Sequence, residues 1–159
     1  MDALTIRQAI AADADAIADL IALNEPEDLV SEISRDERRD RFHDGLSTGA
    51  IASLVAEADG TMVGELTLAL RHPDPTEIGF GVHPQWRRRG VASALVAAAV
   101  AYARERQIHK LTAQVLAHNV AAVGVLERQG FAEEGYLVNQ FARRSGGAKD
   151  AVLLARPIA

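Results

Sequence analysis

Arg87, Arg88 and Arg89 stand together immediately before Gly90-Val91-Ala92-Ser93, and the residues that follow read as a helix. Val91, Ala94, Leu95, Ala98, Ala99 and Tyr102 recur at helical spacing and form one apolar stripe. The start of such a helix leaves backbone N–H groups unpaired and carries partial positive charge. Gly90, Ala92 and Ser93 are small, so a pyrophosphate has room against those amides, with the three arginines beside it. The same tripeptide also fits a solvated basic loop at a helix cap. Neither Rossmann nor Walker glycine spacing is present. RNA binding is disfavoured, because the chain around the arginines is acidic and its net charge is −5.

Other chemistries are excluded by what is missing. The chain has no cysteine, which removes disulfides, thiolate metal sites and a cysteine nucleophile. No His/Asp/Glu cluster has metal-ligand spacing, so no metal is expected. Ser93 has no histidine or lysine base at suggestive spacing, which speaks against covalent catalysis. His83 and His118 read as loop or cap histidines. The longest nearly apolar run, Val91 to Ala103, falls short of the ~20 residues that span a bilayer. The N-terminus lacks the pattern of a signal peptide, and with the absent cysteine this points to the cytoplasm.

These residues must be held by a frame, and 159 residues suit a single domain, here 1–159. Thr5 to Gln8 reads as a strand, and Asp13 opens a helix carrying Ile17, Leu20 and Ile21, stopped by Asn24-Glu25-Pro26. Ser34 to Glu37 is a capping box for a second helix, with Phe42 and Leu46 on its buried stripe and Gly45 and Gly49 marking its end. Ile51 to Ala58 and Thr61 to Leu70 form a hairpin across Asp59-Gly60. Gly64 signals a bulge or a close backbone approach. Thr76 to Val82 is a strand, followed by the arginine loop and the alanine-rich helix. Leu111 to Leu116 is another strand, and Asn119 caps a short helix ending at Gly130. Runs near 134–143 and 151–156 close the chain as a hairpin. The order is β-α-α-β-β-β-α-β-α-β-β, an α/β fold with a mixed sheet.

Arg87-x-x-Gly90-x-Ala92, preceded by Val82-His83-Pro84, resembles the acetyl-CoA pyrophosphate motif of the GNAT N-acetyltransferase superfamily. Asn119-x-x-Ala122, followed by Glu127 to Phe131, is similar to that family's second landmark, and the element order matches nearly end to end. The resemblance implies a mixed sheet whose parallel fourth and fifth strands splay apart, with the pantetheine arm of acetyl-CoA in the gap. It implies that Val82 and its neighbours bond the pantetheine amides. Arg87, Arg88, Arg89, Gly90, Val91, Ala92 and Ser93 would hold the pyrophosphate, and Asn119 would lie beside the sulfur end.

Transfer of an acetyl group to an amine needs a proton acceptor, because a free alkylamine has a pKa near ~10. Glu77, in the strand before Val82, looks like the glutamate many members carry there; otherwise it is a rim carboxylate. A backbone N–H near Val82 would stabilise the oxyanion. Many relatives place a tyrosine seven residues after the asparagine, as general acid for the leaving thiolate. This chain has Leu126 there. Tyr136 is the substitute, unless it is only a strand aromatic. Asp13, Asp15, Asp19, Glu25, Glu27 and Asp28 lie together without Lys or Arg among them. They form either an acidic wall that concentrates a cationic amine acceptor or a solvated helix face. Edge strands of the closing hairpin leave room for a homodimer. The expected activity is N-acetylation of a primary amine, on a small molecule or a protein N-terminus, by direct attack. The rival is a non-catalytic acyl-CoA-binding sensor or interaction module that keeps the cofactor loop.

Overall fold

The computed structural model describes residues 3–24 and 33–159. One seven-stranded sheet runs in the order β1-β2-β3-β4-β5-β7-β6. Its strands are β1 (Leu4–Gln8), β2 (Ile51–Ala58), β3 (Thr61–Ala69), β4 (Thr76–Val82), β5 (Lys110–Leu116), β6 (Ala132–Ala142) and β7 (Ala148–Pro157). The helices are α1 (Ala14–Asn24), α2 (Arg35–Thr48), α3 (Val91–Glu105) and α4 (Val120–Arg128). The element order is the expected one, with single 3₁₀ turns added at Ala11–Asp13 and Pro84–Trp86. The closing hairpin inserts its second strand, so β7 lies between β5 and β6.

Local chemistry accounts for the boundaries. Ser34 Oγ accepts from the Glu37 amide at 3.1 Å and starts α2. Gly49, at φ 82°, ends it in the left-handed conformation. Gly45 does not punctuate that end: it lies inside α2, where an added Cβ would sit 2.7 Å from Ile51 Cδ1. Asp59 and Gly60 both take positive φ, as a tight hairpin between twisted strands requires. Both readings of Gly64 hold. The β2–β3 register shifts beside it, and its Cβ would lie 2.8 Å from Val91 Cγ1, so α3 rests directly on the strand.

The sheet has helices on both faces. Val91, Leu95, Val96 and Ala99 of α3 are buried against Leu66, Leu68 and Ile78, forming the larger core. On the other face Ile17 of α1 and Phe42 of α2 pack on Val55. This places the start of α3 on one side of β4 and the α1–α2 pair over the other.

β4 and β5 are parallel but pair only at Thr76–Leu111 and Glu77–Thr112. Beyond Glu77 they diverge. From Ile78 to Val82, β4 keeps its ladder to β3 while its other edge meets no strand among the described residues. A strand edge with unpaired N–H and C=O groups is a template for a partner carrying amides.

Candidate active site

The arginine loop joins the end of β4 to α3. Gly90 is the residue before the helix, at φ 81°, and its left-handed turn aims the first amides of α3 out of the loop. A Cβ built on Gly90 meets nothing within 4 Å, so the space in front of the helix is open. Val91 is buried in the core and anchors this end, while Arg87, Arg88 and Arg89 are exposed. The three arginines are not equivalent. Arg87 Nη2 donates to Asn24 Oδ1 at 2.8 Å. Arg89 stacks over the Trp86 ring at 4.8 Å. Arg88 takes φ 62°, which turns the chain toward Gly90.

On the α1–α2 face the diverging strands open a cleft of about 510 Å³. Register explains its floor. Glu65, Thr67 and Ala69 of β3 oppose Gly81, Gly79 and Glu77 of β4, and directly opposed residues share a face. Gly79 leaves open the space that a side chain would fill: a Cβ there meets nothing within 4 Å. Ile21, Asn24 and Phe42 form the helical wall, with Gln114 and Phe141 opposite. Asn24 packs over Gly81, where a Cβ would lie 3.2 Å from its Nδ2, and donates to the Leu20 carbonyl at 2.9 Å. Through Asn24 the cleft wall and the arginine loop are hydrogen-bonded to each other.

Glu77 lines this cleft and is half-buried. Glu65 was not apparent in the sequence. It is only 4% exposed, yet it lines the same cleft, and its Oε2 accepts from Thr67 Oγ1 at 2.9 Å. Burial pushes its carboxyl up to about 7, and the Thr67 hydroxyl offsets only part of that. Val82 is buried at the end of β4, level with the mouth of the splay.

Tyr136 is 54% exposed on β6, does not line the cleft, and donates its hydroxyl to Asp150 Oδ2 at 2.7 Å. That bond, with the nearby carboxylate charge, pushes the phenol above its ordinary value. It is engaged at the sheet edge by that bond. Leu126 is fully buried in the larger core, so the position of the missing tyrosine is filled by packing. Asn119 caps α4, its Oδ1 accepting from the Ala122 amide at 3.2 Å, just beyond the end of β5.

Where it is described, the acidic stretch has arginine partners. Asp13 receives two guanidinium bonds from Arg7, the nearer nitrogens at 2.9 Å, and these hold its carboxyl below the usual range. Arg35 bonds Asp19 at 2.8 Å and Asp15 at 3.0 Å. Glu25, Glu27, Asp28 and the stop at Pro26 lie outside the described residues.

The GNAT acetyltransferase family model matches residues 15–131, from α1 through the landmark after α4. The chain belongs to the GNAT family. Among curated relatives it is 32% identical over 111 residues to the L-amino acid N-acetyltransferase AaaT of Escherichia coli, covering 67% of this chain and 68% of that protein. A ribosomal-protein-alanine N-acetyltransferase from Brucella melitensis superposes with TM-score 0.83 at 26% identity, over 96% of this chain and 99% of that one. The Salmonella typhimurium acetyltransferase yncA, solved with acetyl-CoA, shares the fold at TM-score 0.83 and 22% identity, over 99% of this chain and 95% of that one. The seven-stranded mixed sheet with parallel β4 and β5 is the GNAT architecture the sequence implied. Among the described residues no His/Cys/Asp/Glu group is arranged to hold a metal, and no helix is long and apolar enough to cross a membrane.

Proposed function

We propose that this GNAT protein transfers the acetyl group of acetyl-CoA to a primary amine by direct attack. The observation that carries the reading is the splay. Among the described residues no strand pairs with the outer edge of β4 from Ile78 to Val82, and the chain continues through the arginine loop to the helix start at Gly90. Acetyl-CoA has a matching chemistry, amides along a flexible arm and then a diphosphate, and bound there it supplies an acyl carbon already activated as a thioester.

The residues present fit that group. The amides of Gly90, Val91, Ala92 and Ser93 hold the diphosphate, and Arg88 and Arg89 add cations at its edge. Arg87 serves the same anion while tied to Asn24, so filling the loop also fixes the wall of the acceptor cleft. The β4 edge near Val82 bonds the arm and leaves the acetyl end beside Gly79 and Phe80, which border the cleft. Asn119 closes the opposite bank at the end of β5. The amine enters between α1 and α2 and meets the acetyl end from the cleft side.

An ammonium cannot attack, so a carboxylate of the floor must take its proton. Glu77, half-buried, is the carboxylate through which that proton reaches solvent. Tyr136 faces away from the cleft, and the leaving thiolate therefore takes its proton from the attacking nitrogen, directly or through water.

The test is release of free thiol from acetyl-CoA with a panel of primary amines. Turnover supports the transferase. Tight coenzyme A binding without turnover of any amine favours the acyl-CoA-binding module instead.

A further inference from the structure

The charged groups of the acceptor cleft are unusual in one respect: among its described lining residues, two are carboxylates and none is a cation. Glu65 is the more enclosed of the two. It sits on β3 directly opposite Gly81, where Asn24 fills the place of the missing Gly81 side chain, and it still lines the floor of the cleft. A carboxylate held this deep, with one hydroxyl as its partner among the described residues, is poorly solvated. It gains most from a ligand that brings a positive charge and N–H donors. It repels a ligand bearing its own carboxylate next to the nitrogen, for which the lining offers no counter-charge.

Resting on the transferase reading above, we infer that Glu65 receives the acceptor as an ammonium and takes its first proton, and that the cleft therefore selects amines without an adjacent carboxylate. The step balances. The ammonium gives a proton to a Glu65 carboxylate oxygen and becomes a neutral amine. Its lone pair forms the new C–N bond to the acetyl carbon, and the C–S bond breaks with its electron pair on sulfur. The second proton of the nitrogen neutralises the thiolate. The Glu65 proton then leaves through water to Glu77 and solvent. A buried carboxyl near neutrality suits this exchange, since it is comfortable in either state at working pH.

The surroundings of Glu65 bear on its titration. β4 contributes Glu77, the one other titratable residue among those described in the lining, and β2 contributes Val55. Asn24 and Phe42 from the helices and Gln114 from β5 do not titrate. Arg87 reaches the cleft only through Asn24. Ile21, Phe42 and Phe141 give the walls an apolar character suited to an aromatic stem.

The experiment uses β-phenylethylamine, L-phenylalaninamide and L-phenylalanine as acceptors in a thiol-release assay, with coenzyme A affinity measured in parallel. Phenylethylamine and the amide are acetylated, and phenylalanine has a kcat/KM at least about tenfold lower. Glu65→Gln lowers kcat/KM for phenylethylamine about 100-fold, the usual size of a lost proton acceptor. It also removes the ionisation near neutrality from the pH profile and leaves coenzyme A affinity unchanged. Glu77→Gln keeps that ionisation. A Glu65→Gln enzyme with an unaltered pH profile, or phenylalanine used as well as phenylethylamine, overturns the assignment. So does phenylethylamine left unacetylated by a protein that binds coenzyme A. Failure to bind coenzyme A instead overturns the transferase reading beneath it.

Discussion

Replacing Glu65 by glutamine should stabilise the free protein at alkaline pH, and the amount follows from its burial. The carboxyl is held at about 7 in the fold, against an unfolded value of 4.5. A carboxyl raised on folding binds its proton more tightly in the native state, so its contribution to stability declines as pH rises between those two values. By about pH 8 the native protein carries a buried charge that the unfolded chain would hold in water. The difference corresponds to roughly 3 kcal/mol, an upper bound because the cleft admits some water. Glutamine has the same shape and still accepts a hydrogen bond from Thr67, but it has no charge to desolvate. Urea unfolding of both proteins across about pH 5 to 8 should therefore show curves that separate. Wild type loses about 2 kcal/mol more than Glu65→Gln over the range, and the variant is the more stable above neutrality. A gain in stability together with a loss of turnover is the signature of a group kept for function. Parallel pH curves, or a variant less stable than wild type at pH 8, would refute the claim that Glu65 is a strained, desolvated carboxylate.

The other predictions are briefer. Gly90→Glu puts an anion into the open space before α3 and should weaken coenzyme A binding by at least about 100-fold in calorimetry. Its positive φ adds a folding cost of only about 1–2 kcal/mol, so a folded protein with intact affinity would misplace the loop. Glu77→Gln should lower kcat for any accepted amine, most clearly below the amine's pKa, while coenzyme A affinity stays put; an unchanged kcat across about pH 6–9 removes Glu77 from proton transfer. Gly64→Ala should cost about 1–3 kcal/mol in chemical denaturation, because its methyl would press on Val91 and Leu95 of α3. A neutral effect there would mean α3 is less tightly seated than the packing shows.

Much of the frame was legible because it rests on local chemistry. The Asp59-Gly60 turn, the Ser34 cap and the stripe on α3 each specify one element without help from distant residues. The arginine loop was legible for the same reason: small residues at a helix start can be read from spacing alone. Glu65 was not. Thr61 to Ala69 alternates, and a glutamate opposite the Leu66–Leu68 side reads as the solvent face of a two-layer structure. Only the order of the sheet shows that β3 is covered on both faces, and only the β3–β4 register sets Glu65 against Gly81. A glycine at every second position of β4, Gly79 and Gly81, was the one signal that a cleft lay there. The ion pairs of the acidic stretch were hidden for the converse reason: its partners, Arg7 and Arg35, come from outside the stretch that holds Asp13, Asp15 and Asp19. The partner of Tyr136 likewise came from a distant position, Asp150 across the closing hairpin.

Everything functional rests on the gap between β4 and β5 being the seat of acetyl-CoA, and a crystal grown with excess acetyl-CoA tests that most directly. The diphosphate should lie about 3 Å from the amides of residues 90–93, with the arm along Ile78 to Val82 and the acetyl end at the floor shared by Glu65 and Glu77. Density for the nucleotide anywhere else, or a saturating soak that leaves the splay filled only by water, would contradict it.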